Sequence, residues 1–381
     1  MKTLGRILVL SHASEVYGST SSLLRYLKEN SIPHDYILHP LIGASIPYSG
    51  FWNVEADGKE FLRRKRTHRA SSVFHYLYHF WLTVSWILGC GRKYDLVLGI
   101  NNLNAFCGLI FRWLGKANRV AFYTVDYSEK RFDNYFVNGA YCKLDLICAG
   151  NCDYVISVSP RIQAIRERQN VPKERNLLLP NGVYLKEVTS RPSEFEGKVK
   201  LLFTGHLTRS KGVHLMVEAL ARHPDRENLE MHIFGDGPYL DELKTQIDRL
   251  GLRNSALIKG RIDNTDLLNK LQDYQVGIAL YTLDDDFNYY CDPIKVKEYM
   301  AARHAILISD VPWTAEYIEQ KGLGIKTENN ADSISKALTE ITQRDYLKNV
   351  YDAYDNNNLK LDWNDLYNEF FTAIENLTSE I

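Results

Sequence analysis

A strand-to-helix junction at residues 202–213 carries cations and glycines in a spacing suited to binding phosphate. In the run LFTGHLTRSKGV, Gly205 ends a predicted strand, and His206, Arg209 and Lys211 precede a predicted helix. A diphosphate needs backbone N–H groups at a helix N-terminus and a Lys or Arg to match its charge. The junction therefore predicts a diphosphate site, although strand–glycine–helix junctions are common.

Two later segments carry further residues suited to a nucleotide: a glycine turn after a second predicted strand, and a loop that enters a helix. The candidate residues are Gly235 and Asp236 in the first segment, and Asp292, Lys295 and Glu298 in the second. Lys295, in the first turn of the helix, is suited to neutralise phosphate. Glu298, about one turn later, is suited to accept hydrogen bonds from a vicinal diol such as ribose.

These segments belong to a longer pattern, in which short apolar runs alternate with helix-length amphipathic stretches, as in a parallel sheet with crossover helices. The alternation stops at a turn signal, Pro180-Asn-Gly-Val183, and restarts at residue 199. We therefore expect an α/β fold with two Rossmann-like, doubly wound domains facing a cleft, since such sheets bind ligands at the carboxyl ends of their strands. The expected boundaries are 1–180 for the N-terminal domain, 181–198 for a hinge, 199–345 for the second domain, and 346–381 for C-terminal helices that could pack back on the N-terminal domain.

In this order and spacing, the three segments resemble the C-terminal donor domain of GT-B glycosyltransferases related to family 4. The resemblance covers about residues 180–345 and implies the GT-B fold for the whole chain. It also implies that Lys211 holds the diphosphate of a nucleotide-sugar donor, Glu298 the ribose, and the backbone around Gly260–Arg261 the base. GT-B transfer does not need a bound metal, so the resemblance implies no cofactor and a nucleoside-diphosphate sugar, UDP- rather than GDP-, as co-substrate.

Two positions depart from the family pattern. His206 stands where the family usually has Arg, and Arg209 is the candidate to supply that cation. Tyr290 stands where the first Glu of a Glu-x7-Glu pattern usually contacts the transferred sugar. The departures leave the sugar and the stereochemistry open. They also leave two alternative functions open: a sugar-nucleotide epimerase on the same fold, and a catalytically degenerate partner subunit that binds nucleotide sugars.

The N-terminal half offers two candidate sites. Gly18, Ser19 and Thr20 lie between the first predicted strand and helix, where GT-B enzymes bring a small-residue loop against the donor phosphates; a simple helix cap is the alternative. Asp126 follows a predicted buried strand. In a divergent inverting relative, the glucuronosyltransferase of xanthan synthesis, an Asp after a similar strand is interpreted as the base. We expect Asp126 to be a general base, with a turn cap as the alternative.

A basic cluster directly precedes an aromatic stretch at residues 72–88, in which Trp81 is one of several apolar residues at helical spacing. The basic residues are Arg63, Arg64, Lys65 and Arg66. Residues 1–180 hold 23 Lys and Arg against 14 Asp and Glu, whereas the rest of the chain holds 23 against 33. The excess favours a membrane-surface patch over a solvated loop followed by a buried helix. The stretch is too short, and too interrupted by His75 and His79, to span a bilayer.

Other patterns exclude several function classes. The six cysteines show no CxxC or zinc-ligand spacing, which favours reduced thiols in a cytosolic protein. Asp284-Asp-Asp286 is interpreted as a solvated acidic loop rather than a metal site, and no nucleic-acid motif accompanies the basic cluster. We therefore expect a cytoplasmic, membrane-peripheral glycosyltransferase that acts, without a metal, on a hydroxyl of a lipid-linked or polysaccharide acceptor.

Overall fold

The computed structural model describes residues 5–379 apart from 14–17, 43, 45, 67–71 and 193. The chain folds into two compact units, Met1–Pro180 with Trp363–Ile381, and Asn181–Asp362. Residues 181–198, expected as a separate hinge, are part of the second unit. Of the C-terminal residues 346–381, those up to 362 also belong to the second unit, and only the last helix belongs to the first.

The bounds of the elements are as follows. Residues up to 180 form strands β1 (Ile7–Ala13), β2 (His34–Pro40), β3 (Tyr48–Val54), β4 (Glu60–Arg66), β5 (Tyr94–Ile100), β6 (Ala117–Thr124), β7 (Tyr154–Ser157) and β8 (Asn176–Leu178), and helices α1 (Ser19–Glu29), α2 (Ser72–Cys90), α3 (Asn102–Trp113), α4 (Tyr135–Asn151) and α5 (Pro160–Arg168). The second unit forms strands β9 (Val199–Thr204), β10 (Leu229–Phe234), β11 (Ala256–Gly260), β12 (Val276–Ala279), β13 (Ala305–Ser309) and β14 (Gly324–Thr327), and helices α6 (Val213–Arg222), α7 (Leu240–Arg249), α8 (Asn264–Lys270), α9 (Phe287–Tyr290), α10 (Ile294–Ala301), α11 (Thr314–Gln320), α12 (Ala331–Ile341) and α13 (Arg344–Asn356). The last helix, α14 (Trp363–Ser379), returns to the first unit.

The first sheet has the strand order β4-β3-β2-β1-β5-β6-β7-β8. Its strands pair in parallel from β2 to β8, whereas β3 and β4 add an antiparallel ribbon at one edge. The basic cluster, predicted as a membrane-surface patch with a solvated loop as the alternative, forms β4, an edge strand whose described side chains are exposed. Charged residues on an edge strand discourage pairing with another chain. The strand order reverses between β1 and β5, which makes that point the topological switch of the first sheet.

The second sheet is parallel throughout, with the order β11-β10-β9-β12-β13-β14. Strands β12 and β13 are buried along their whole length. A parallel strand covered by helices on both faces is a continuous apolar run, which explains why β13 was predictable from Ala305-Ile-Leu-Ile-Ser309. The order reverses between β9 and β12, so the switch point of this sheet lies there. The predicted α/β class with two doubly wound sheets is confirmed.

Aromatic stacking attaches α14 to α1. The ring of Tyr26 stacks on Phe371 at a centroid distance of 5.7 Å and contacts Tyr367 at 5.1 Å. Its hydroxyl donates a hydrogen bond of 2.6 Å to Asn368 Oδ1. All three aromatic side chains are fully buried. The C-terminal helix is therefore part of the core of the first unit, although it is distant from α1 in sequence.

Candidate functional site

The ladder between β9 and β12 opens at the switch point of the second sheet. The two strands share only the register pairs Val276–Leu201 and Gly277–Leu202. Beyond them Tyr299, from α10, fills the gap: its hydroxyl accepts a hydrogen bond from the Thr204 N–H at 3.1 Å and donates one to Leu202 O at 3.3 Å. Because buried backbone groups need partners, this hydroxyl substitutes for the missing strand contact and fixes α10 against the sheet.

Two lysines of the predicted site lie against Tyr281, directly after β12. Lys211 Nζ lies 4.9 Å and Lys295 Nζ 4.8 Å from the centroid of the Tyr281 ring, and Lys295 also lies 4.3 Å from that of Phe203. Desolvation by burial, and next the charge of Lys211, lower the pKa of Lys295 from 10.5 to about 7. A bound anion would offset the repulsion between Lys211 and Lys295, so the space beside the two lysines is suited to a negatively charged ligand.

Asn288, buried in the short helix α9, holds this arrangement together. Its Oδ1 accepts a hydrogen bond of 2.8 Å from Lys211 Nζ. Its amide nitrogen donates to Ser210 O at 3.1 Å and to Thr282 O at 2.9 Å, which ties together the loops that follow β9 and β12. Gly212, with φ +65°, begins α6 so close to β12 that a Cβ there would lie 2.2 Å from Leu280 O. Only glycine fits this position.

The other predicted donor residues lie on neighbouring loops. A Cβ on Gly235 would lie 1.9 Å from Gly205 O, so the turns after β9 and β10 touch through their backbones. The same turns are joined by the Leu207 N–H, which donates to Asp236 O at 2.9 Å. Glu298 is buried on α10, one turn after Lys295. Four of the predicted side chains are exposed in these loops: His206, Arg209, Asp236 and Arg261.

Asp292 is held by neighbouring residues of the second unit, and its contact with a donor stays a prediction. Its carboxylate is buried, lies 3.1 Å from Lys297 Nζ and accepts a hydrogen bond of 2.6 Å from the Asn181 N–H. Asn181 Nδ2 in turn donates to Asp292 O at 2.6 Å. Burial raises the pKa of Asp292, and the charge of Lys297 opposes that shift. The pair joins the start of the second unit to the loop before α10.

The first unit has a pocket of about 260 Å³ at its own switch point, where β1 and β5 end. Two of its lining residues carry buried polar atoms that have no hydrogen-bond partner within the described part of the chain, His12 Nε2 and Asn101 Oδ1. Asn104 Nδ2 donates to His12 Nδ1 at 3.2 Å, which places the His12 proton on Nε2. Asn101 begins α3 with φ +63°. His12 and Asn101 thus offer one donor and one acceptor to a ligand.

Behind the pocket, four histidines pack ring to ring. The centroid of His79 lies 4.2 Å from that of His75, 4.3 Å from that of His39 and 5.3 Å from that of His12. Burial, and next the charge of His75, lower the pKa of His12 to about 3. Burial is also the main reason that the pKa of His79 is lowered to about 3. His12 is therefore neutral at physiological pH.

Asp126 lies on the loop after β6, beside this pocket. Its Oδ2 accepts a hydrogen bond from the Arg131 guanidinium, and Arg131 lines the pocket. Both side chains are partly exposed. Of the small-residue loop, Gly18 precedes α1, Ser19 O accepts from the Tyr367 hydroxyl at 3.1 Å, and Thr20 Oγ1 lies 3.0 Å from Ser11 Oγ. Thr20 therefore interacts within the first unit.

The predicted membrane patch has an exposed apolar face. Phe74 and Trp81 on α2 are 68% and 66% exposed, whereas His75 and His79, expected as polar interruptions, face the core. Arg63, Arg64 and Lys65 are exposed on β4. Lys65 Nζ lies 5.7 Å from the ring centroid of Tyr78, which joins β4 to α2. The side chain of Arg66 lies outside the described residues.

Among the described residues, no helix is long and apolar enough to cross a membrane. No three His, Cys, Asp or Glu side chains in the same residues are grouped so that they could hold a metal ion. In the acidic loop, Asp284 Oδ2 accepts a hydrogen bond of 2.9 Å from Thr282 Oγ1.

Residues 186–358 match the family described as Glycosyl transferases group 1, a match that covers nearly all of the second unit. The chain therefore contains a glycosyltransferase domain of this group, and the resemblance seen in the three sequence segments is confirmed. The predicted donor residues Lys211, Lys295 and Glu298 lie within this domain.

Two curated relatives match part of the chain. It is 28% identical over 169 residues to an uncharacterized glycosyltransferase of Methanocaldococcus jannaschii, which covers 42% of each protein. It is 25% identical over 239 residues to an alpha-monoglucosyldiacylglycerol synthase of Streptococcus pneumoniae, which covers 57% of this chain and 52% of that protein. The chain thus spans about half the length of the curated relatives it matches.

Solved structures match over nearly the whole chain. Sucrose-phosphate synthase from Thermosynechococcus elongatus has a TM-score of 0.73 at 15% identity, with 99% of this chain and 100% of that chain covered. The Anabaena protein HepE in complex with UDP has a TM-score of 0.69 at 15% identity, with 97% and 100% covered. At this identity the likeness shows the fold, which is GT-B.

Sequence patterns had not singled out four residues of these sites. Tyr281 follows a predicted strand and could have been recognised by that position. His12 and Asn101 also stand at strand ends, and the same rule would have found them. Asn288 carries no such signal, because its role depends on loops that meet only in the folded chain.

We expect Asp292→Ala to lower the free energy of unfolding of the second unit by about 3–5 kcal/mol, because Lys297 would remain buried without its counter-charge. Urea denaturation measures this change. Asp236→Ala, an exposed substitution in the same unit, is the control and should change stability by less than about 0.5 kcal/mol. An Asp292→Ala variant with unchanged stability and lost nucleotide affinity would support a direct contact between Asp292 and the donor instead.

Proposed function

We propose that the protein transfers a sugar from a nucleoside-diphosphate sugar, with UDP as the preferred nucleotide, to a hydroxyl of a lipid-linked or glycan acceptor. The observation that carries this proposal is the pair Lys211 and Lys295 around Tyr281, with Glu298 one turn further on α10. Two ammonium groups at a strand-end crevice suit a diphosphate, and a carboxylate beside them suits ribose. The matched structure of HepE holds UDP, which supports this choice of nucleotide.

The proposed reaction uses no metal. The developing charge on the leaving diphosphate would be stabilised by Lys211 and Lys295, with Arg209 exposed nearby as a third cation. Preorganised cations need no reorganisation during the reaction, so a divalent ion is not required for charge balance. Asp284 and Asp286 are the residues to reconsider if a metal dependence is found.

Two alternatives use the same donor site. An epimerase acts on a single substrate, whereas the first unit has its own pocket at a separate switch point, which favours a second substrate. A degenerate partner subunit would bind the nucleotide without turnover. The substitutions at His206 and Tyr290 motivate that alternative, but Arg209 and the lysine pair retain the positive charge that transfer requires.

We place the reaction at the cytoplasmic face of a membrane. Phe74 and Trp81 are exposed on α2, and β4 beside it carries exposed cations. Aromatic side chains and Lys or Arg together favour an anionic lipid surface.

The assay that tests this function measures UDP release from UDP-sugars with and without a total membrane-lipid and glycan extract. We expect acceptor-dependent release that persists in EDTA. Release without acceptor, together with a changed configuration in the recovered UDP-sugar, would instead support an epimerase. UDP binding without turnover on any extract would support the partner subunit, and loss of activity in EDTA that Mn²⁺ or Mg²⁺ restores would contradict the metal-free mechanism.

We assign Asp126 as the general base, with Arg131 orienting its carboxylate through Oδ2. Asp126→Asn keeps the shape but removes the proton acceptor, so turnover should fall roughly 10²–10⁴-fold with UDP affinity nearly unchanged. Asp133→Asn, an exposed substitution on the same loop, is the matched control and should retain activity. The mechanism also requires an inverted anomeric centre in the product. An Asp126→Asn enzyme with most of its turnover, or a product with retained configuration by NMR, contradicts the assignment.

A further inference from the structure

We propose that the pocket of the first unit binds the hydrocarbon chain of an amphiphilic alcohol, and that this alcohol is the acceptor. The inference rests on the proposed glycosyl transfer, since it names the molecule that receives the sugar. It selects a lipid over a glycan, which the donor site alone does not do. The support comes from the apolar wall of the pocket, its polar end and its exposed rim.

Most of the pocket wall is apolar. Leu77 from α2, Leu103 from α3, and Val137, Ala140 and Leu144 from α4 surround the cavity. The lining residues include no Asp or Glu. A sugar chain presents many hydroxyl groups and needs many polar partners, because each unpaired polar group loses its hydrogen bonds with water. A hydrocarbon chain gains from the same surface, at about 0.8 kcal/mol per buried CH₂.

The polar end of the pocket matches a single hydroxyl group. His12 presents an N–H at Nε2, and Asn101 presents a carbonyl oxygen, and neither atom has a hydrogen-bond partner within the described residues. An alcohol is one acceptor and one donor, so it satisfies both atoms at once. Arg131, which also lines the pocket, carries the ion pair to Asp126. Asn101 Oδ1 accepts the hydroxyl hydrogen before reaction. For transfer the hydroxyl turns this proton to Asp126, the oxygen bonds to the anomeric carbon of the donor sugar, and the nucleoside diphosphate leaves.

The rim of the pocket continues into an exposed apolar surface. Leu77 lines the pocket and is 49% exposed on α2, between Phe74 and Trp81. On α4, Tyr135 and Phe136 are 84% and 83% exposed, immediately before the lining residue Val137. Large apolar side chains on α2 and α4 at the rim of the pocket suit contact with a lipid surface, and the exposed cations of β4 suit its anionic head groups. A chain could enter the pocket directly from that surface.

The binding test uses 11-(dansylamino)undecanoic acid as a fluorescent probe and 1-decanol, an uncharged alcohol, as the competitor. Ala140 is an exposed lining residue, so Ala140→Trp fills the cavity without disturbing the core. Leu144→Gln, a second variant, makes the wall polar at similar volume. Leu146→Trp, on the exposed side of the same helix and outside the pocket, is the matched control.

We expect saturable probe binding to the wild type, displacement by 1-decanol, and at least tenfold weaker binding to Ala140→Trp and Leu144→Gln. Leu146→Trp should bind like the wild type, and all variants should melt at similar temperatures and keep UDP affinity. Equal probe affinity in all four proteins overturns the inference, as does a wild type that binds UDP but not the probe. A wild type that does not bind UDP contradicts the proposed function instead.

Discussion

Strands β9 and β12 part after two register pairs, and Tyr299 of α10 fills the gap beside the candidate donor residues. The Tyr299 hydroxyl bonds to the backbone of Thr204 and Leu202, and its ring packs against Gly277, where a Cβ would lie 2.4 Å from the ring. These contacts fix the first turns of α10 at the crevice. Lys295 and Glu298 then project from a rigid helix rather than from a loop, and Lys211 meets Lys295 across Tyr281. Preorganisation of this kind lowers the cost of holding two like charges close together for a dianionic ligand.

Much of the fold could be predicted because the central strands are rich in apolar residues. Strand β13 is apolar from Ala305 to Ile308, as a strand buried on both faces requires, whereas β9 and β10 include charged residues, Lys200 and Glu230, at half-buried positions. The ribbon β3–β4 was missed because Arg63-Arg-Lys-Arg66 has the composition of a solvated loop, and only pairing with β3 makes it a strand. For α2 the helical spacing of the apolar residues was visible in the sequence, but the inward position of His75 and His79 was not. The histidines pack inward, and the large apolar residues Phe74 and Trp81 point outward.

The candidate sites show the same contrast between residues that local sequence spacing predicts and residues whose position depends on tertiary contacts. The positions of Lys211, Lys295 and Glu298 follow from local strand–helix junctions, so the sequence pattern brings them to one edge of the sheet. Asp292 stands in the same motif, yet its burial beside Lys297 depends on a contact with Asn181 far away in the chain. The polar atoms of His12 and Asn101 likewise become a pair only where β1 and β5 end side by side. Sequence spacing can predict site residues that lie on one strand–helix junction. Residues from different junctions are brought together only by tertiary contacts, so their pairing is visible only in the structure.

The most direct test of the account is the proton uptake that accompanies donor binding. In the free protein the pKa of Lys295 is about 7, so its amine is mostly neutral at pH 8. A bound anion stabilises the protonated amine and so raises the pKa of Lys295. Donor binding therefore takes up a proton and becomes weaker as the pH rises above 7. Calorimetry with UDP-glucose at pH 8, in two buffers of different protonation enthalpy, should show uptake of close to one proton by the wild type and none by Lys295→Met. UDP-glucose binding without proton uptake, or with the same uptake in Lys295→Met, would contradict the assignment of this lysine pair to the donor diphosphate.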